Sequence, residues 1–279
     1  MEQTAEQALD LVIRPLPQSS VNGIIFSFVL CIGLPIALII YGKVKMKAHI
    51  MSAVIGAGCF MLFVMVIEGL VNNAVAGAAG DLINQTWFYA IYGGLAAGIF
   101  EETARFIAMR FLMKKPLETT EVLMYGFGHG GIEMFFAGGV TAGLNLMLSQ
   151  MINQGQVGTL LNNLDDANRA LMTQQLAALS AVESWQFYMI AGERIAALAM
   201  QIGLSYIVYR AVKEGGDIRF FILAILLHAA VDGGAVFLKD FLPLIAVEGF
   251  IFAASAAICL FAWWLHKNDH QEGENSVYM

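Results

Sequence analysis

Residues 87–112 read WFYAIYGGLAAGIFEETARFIAMRFL. Crossing a hydrocarbon core of about 30 Å as a helix takes about 20 apolar residues, and this stretch is long enough to do so. Near its middle, however, stand Glu101, Glu102 and Arg105. A charged side chain at bilayer depth is penalised by a few kcal/mol on insertion scales, so such groups persist where they meet one another or a water-filled cavity. Two further apolar runs repeat the pattern, one with His129 and Glu133 and one with His228 and Asp232. Three spans with polar residues near their middles point to a polar reaction centre inside a membrane.

The rest of the chain agrees with a membrane setting. It has 279 residues, of which 58% are apolar and 13% charged, with a mean hydropathy of +0.69. A soluble domain carries about 25% charged residues. The apolar runs are continuous and about twice the roughly 10-residue alternating segments of barrel strands, so the expected fold is an all-α, polytopic helical bundle. The net charge of −7 and the absence of a basic patch give no reason to expect nucleic acid. Cys31, Cys59 and Cys259 stand singly inside apolar runs, as packing residues do. The first residues lack the basic start and apolar core of a signal peptide, so the first span is expected to direct insertion.

Hydropathy predicts seven helices, at about 21–41, 50–71, 87–112, 122–148, 186–209, 219–238 and 242–265. They form one transmembrane domain over 21–266, between short polar tails at 1–20 and 267–279 that are expected to be disordered. Lys43, Lys45, Lys47, Arg110, Lys114, Lys115, Arg210, Lys213, Arg219 and Lys267 then fall on one side, against Arg14, Arg169 and Lys239 on the other. The positive-inside rule places the amino terminus outside and the carboxyl terminus in the cytoplasm of a cell-membrane protein. The long connection 149–184 is expected to lie outside and to hold an amphipathic helix, with Leu161, Leu164, Ala167, Leu171 and Ala178 at helical spacing. It is read as a solvated external loop or as a lid over a cavity.

At 1.5 Å per residue, the three polar pairs lie in one slab roughly 12 to 20 Å from the cytoplasmic boundary. Each pair is spaced i, i+4, so both members share a helix face. Gly93, Gly94 and Gly98, then Gly126, Gly128, Gly130 and Gly131, then Gly233 and Gly234 surround them, and small residues let helices approach closely. A carboxylate in low dielectric beside a neutral imidazole can take a proton from water, and a second imidazole can bond a developing oxyanion. Two imidazoles with one or two carboxylates also make a zinc ligand set with an open water position; His129, Glu133, His228 and Asp232 would supply it. The bland alternative is that the charges cross-link helices as satisfied pairs. Glu193 and Arg194 lie in the outer half of their span, close in depth to Glu68, and read as a structural ion-pair network, with an entry or substrate-contact role as the alternative.

Glu101-Glu102-Thr103-Ala104-Arg105, a His in the next span and a late His-x-x-x-Asp together resemble the type II CAAX-protease superfamily. Its members include the Rce-type prenyl endopeptidases and the bacterial Abi and PrsW groups, and the YhfC-like intramembrane metalloproteases are the most similar branch. The resemblance covers about 87–240. It implies Glu101 as the water-activating base, Glu102 and Arg105 as orienting partners, His129 as a water-positioning group, and His228 with Asp232 as the oxyanion element. The prenyl endopeptidases have E-E-x-x-x-R where this chain has E-E-x-x-R. That moves Arg105 by about 100° around the helix and leaves Glu101 and Glu102 both eligible as the base. Glu133 is an additional carboxylate one turn beyond His129, which makes a metal such as zinc more attractive here.

The expected function is hydrolysis of a peptide bond in a membrane-protein or peptide substrate, with membrane lipid as the surrounding partner. The competing classes are a proton- or ion-coupled transporter, in which the same groups relay protons, and a catalytically silent scaffold. An odd helix count without an internal repeat speaks against inverted transporter halves. The GxxxG spacings at Gly94–Gly98 and Gly139–Gly143 serve contacts within the chain or a dimer equally well, leaving the oligomeric state open.

Overall fold

The computed structural model describes residues 13–277, with side chains described as far as Asp269. All regular structure among the described residues is helical. In hydrocarbon every backbone N–H and C=O must find an internal partner, which a helix provides within one segment. We number the helices α1 Gln18–Val44, α2 Ile50–Asn84, α3 Thr86–Ile107, α4 Thr119–Asn153, α5 Val157–Asn162, α6 Asp166–Ala181, α7 Ser184–Val212, α8 Arg219–Leu238 and α9 Leu244–Val277. The backbone widens into π-type turns over Met61–Glu68 in α2 and Phe135–Val140 in α4, and α3 continues as such turns over Ala108–Leu112.

Six of these helices, α1, α2, α4, α7, α8 and α9, are long and apolar enough to cross a membrane. A helix also stands where the third of the seven spans was expected. That helix, α3, carries Glu101, Glu102 and Arg105, and this lowers its apolar character. Large apolar side chains such as Leu70 and Leu260 remain exposed, an arrangement that suits contact with lipid and not with water.

The chain divides into two compact units, Met1–Gly33 with Phe135–Gly192, and Leu34–Met134 with Glu193–Met279. In the first unit Ile13, Leu16, Ile24, Ile152, Leu161, Leu176, Leu179 and Phe187 form the core. The backbone of Leu16 is bonded in both directions by the Asn153 amide, at 2.8 and 3.0 Å. Of the expected 1–20 tail, Ile13 and Leu16 are therefore packed, while the acidic positions Glu2, Glu6 and Asp10 lie outside the described residues. The 149–184 connection does hold helix, in α5 and α6. Asp165 caps α6 by accepting from the Asn168 N–H at 3.0 Å, and that bond holds its carboxyl below the usual aspartate range. The expected face holds at Leu161, which is buried, and at Leu164, which packs against the same core, but not beyond: Leu176 and Leu179 turn inward in α6, whereas Ala167, Leu171 and Ala178 are exposed. A break at residues 163–165 resets the helical phase on which the expected spacing relied.

In the second unit α3 packs along α8 and the start of α2 along α4. Glycines set how closely. A Cβ on Gly94 would stand 2.6 Å from the Ala229 carbonyl oxygen and one on Gly98 2.6 Å from that of Ile225, so the α3 and α8 backbones touch. α9 runs on through Val277, where a disordered tail was expected from 267. Its Asp269 accepts hydrogen bonds from Tyr206 at 2.9 Å and Lys213 at 2.7 Å and also pairs with Arg210, and these bonds secure the helix beyond the apolar run.

Candidate active site

The close α3–α8 contact sets Glu101 and Glu102 against His228. The Nδ1 of His228 lies 2.7 Å from Oε1 of Glu102, and its Nε2 lies 3.8 Å from Oε1 of Glu101 and 3.4 Å from Oδ2 of Asp232. From α4, Nε2 of His129 reaches Oε2 of Glu101 at 2.9 Å. The rear of the His129 ring is fixed by Tyr125, whose hydroxyl is 3.4 Å from Nδ1, and by an edge-on Phe60 at 5.3 Å. Glu102, Arg105, His129 and His228 are all buried.

The two adjacent glutamates have different surroundings. Glu102 is bonded through Oε1 to His228 and to the Arg105 guanidinium, which is itself bonded to Gln201, while its Oε2 is buried without a hydrogen-bond partner among the described residues. On Glu101, Oε2 takes both the His129 and the Gln201 contacts, each at 2.9 Å. Its other oxygen accepts no hydrogen bond from the described residues and faces the His228 ring. Arg105 lies 3.8 Å from Glu101, but its direct partner on α3 is Glu102.

Of the residues expected at the site, Glu101, Glu102, Arg105, His129, His228 and Asp232 come together. Glu133 is displaced from the expected His129 pairing. Its carboxylate accepts from the Gln201 amide at 2.5 Å and lies 3.7 Å from Arg194. Arg194 is thus joined to the site through Glu133, as well as to Glu193. Glu68 makes a different set of contacts from the one expected with Glu193 and Arg194: it is bonded to Asn72 at 3.3 Å, and Asn72 in turn accepts from Tyr92.

Gln201 of α7 is the residue that sequence reasoning missed. It links Glu101, Arg105 and Glu133. Its signal was a single amide inside the apolar run 195–204, which was available but unused.

The expected metal set of His129, Glu133, His228 and Asp232 is not gathered. Among the described residues no group of three or more His, Cys, Asp and Glu side chains is placed to hold a metal ion. Glu133 is turned to Gln201 and Arg194, and His129 bonds Glu101 directly. As placed, these four side chains do not form one ligand set.

Fold and site define a multi-pass integral membrane protein with a buried centre of carboxylates, imidazoles and one guanidinium. The profile of the YhfC intramembrane metalloprotease family matches residues 30–251. A Bacillus subtilis (strain 168) protein described as "Uncharacterized membrane protein YhfC" is 35% identical over 238 residues, covering 84% of this chain and 90% of that protein. The chain belongs to the YhfC intramembrane metalloprotease family. No solved structure matches it significantly.

Proposed function

We propose that the protein is an intramembrane peptidase in which Glu101 activates water. The observation that carries this reading is the asymmetry of the Glu101 carboxylate. One oxygen is held by His129 and Gln201, while the other faces His228 and is left for a reactant; Glu102 also keeps an unbonded oxygen, but that one is fully buried. A base needs one orienting contact and one oxygen within reach of the proton it removes. Glu101 takes the proton as water attacks the scissile carbonyl, and His228, steadied at Nδ1 by Glu102, donates its Nε2–H to the developing oxyanion. Glu101 then returns the proton to the leaving amine. Arg105 holds Glu102 in place, and Gln201 ties that pair to Glu101. The family name supports hydrolysis of membrane-associated peptides.

The test is a comparison of protein termini in membranes carrying the native chain, Glu101→Gln or Glu102→Gln at matched expression. Loss of a general base lowers the rate by about 10²–10⁴-fold, so termini made by the native protein should vanish with Glu101→Gln. Normal cleavage by that variant would sink the reading. Cleavage by purified protein without an ion gradient separates peptidase action from coupled transport.

A further inference from the structure

Beyond the Glu101 centre, the second unit holds a cavity of about 270 Å³ whose walls include Glu133, Glu193, Arg194, His228, Asp232 and Ser255. Three carboxylates face one guanidinium there. Arg194 is already matched by Glu193 and lies 3.7 Å from Glu133. Asp232, the most exposed of the carboxylates at 42%, meets the His228 ring.

A second observation is independent of that charge balance. Ser255 is 2% exposed, and its hydroxyl has no hydrogen-bond partner among the described residues. A serine inside a helix ordinarily bonds the carbonyl one turn back, and leaving a buried hydroxyl unpaired is unfavourable.

We infer that this cavity binds an ammonium group of the substrate, a lysine side chain or a free amino terminus, beside the bond to be cleaved. An ammonium offers three N–H donors and no acceptor, which suits Asp232, Glu133 and the Ser255 oxygen. A carboxylate or phosphate would instead meet the surplus of like charge. Val231 lines this cavity and also an apolar groove of about 530 Å³ walled by Leu227, Phe250 and Ala254. The ligand is therefore amphiphilic, with an apolar segment next to its cationic group. As a substrate subsite the assignment rests on the peptidase reading; as a cation-binding cavity it does not.

The experiment uses full-length Ser255→Cys protein in nanodiscs. Alkylation by N-ethylmaleimide is followed peptide by peptide, so that Cys259 reports separately. Dodecylammonium at about ten times its Kd should slow alkylation at position 255 by about tenfold, dodecanoate should not, and Asp232→Asn should remove the protection. Equal protection by both amphiphiles, protection by dodecanoate alone, no protection, or a thiol that the reagent never reaches would each overturn the assignment. Should Ser255→Cys fail to fold, the native protein must show a higher Tm with dodecylammonium than with dodecanoate, and equal values refute it. Protection by dodecylammonium with unchanged termini in Glu101→Gln would keep the cavity and remove the peptidase; the reverse result would do the opposite.

Discussion

At the scale of single residues, adjacent glutamates have separate partners because a helix turns each neighbour by about 100°. Glu102 points to Arg105 and His228, and Glu101 to His129 and Gln201. Hydropathy revealed both as intramembrane carboxylates, but not which partners each would meet across the packed helices. That distinction depends on Gln201, a hundred residues away in the chain. Gln201→Leu keeps the side chain's approximate volume and removes its hydrogen bonds to Glu101, Arg105 and Glu133. Buried polar groups left unpaired cost about 1–3 kcal/mol, so a lower Tm in detergent is expected together with weaker cleavage. A variant with unchanged Tm and turnover would show that the amide does not organise the centre.

At the scale of helices, the α3–α8 contact holds Glu102 and His228 in register. Gly98→Ala would set a methyl 2.6 Å from the Ile225 carbonyl oxygen. Overpacking of this kind typically costs about 1–3 kcal/mol, and the separation it forces should also weaken cleavage. A methyl added at Gly93, on the same helix, would meet nothing within 4 Å, so Gly93→Ala should leave Tm and activity nearly unchanged. Equal Tm values for the two variants would show that the contact is not tight. The sequence made the glycine clusters visible without showing which of them touch a neighbour, since Gly93 and Gly94 are indistinguishable by composition. The α6 region shows a related gap. Its helix is legible from the sequence, but its buried face is not, because periodicity counted across the helix interruption at 163–165 loses its phase.

At the scale of the whole molecule, the basic residues favour a cytoplasmic carboxyl terminus and an external α6. With an impermeant maleimide, Asp166→Cys should therefore be labelled in intact cells and Lys267→Cys only after permeabilisation; the same labelling pattern at both would overturn the orientation. Because the site's donors bond one another and Arg105, chelation by 1,10-phenanthroline should leave cleavage unchanged. Inhibition reversed by zinc would move water activation from Glu101 to a metal. The sequence alone determined the helical membrane class and most of the polar cluster, because the hydrocarbon penalty on charge acts on each span separately. The separate partners of Glu101 and Glu102, the central place of Gln201 and the turning of Glu133 to Gln201 and Arg194 were decided by tertiary structure. Each depends on which side chains meet across packed helices, and hydropathy and spacing carry no record of that.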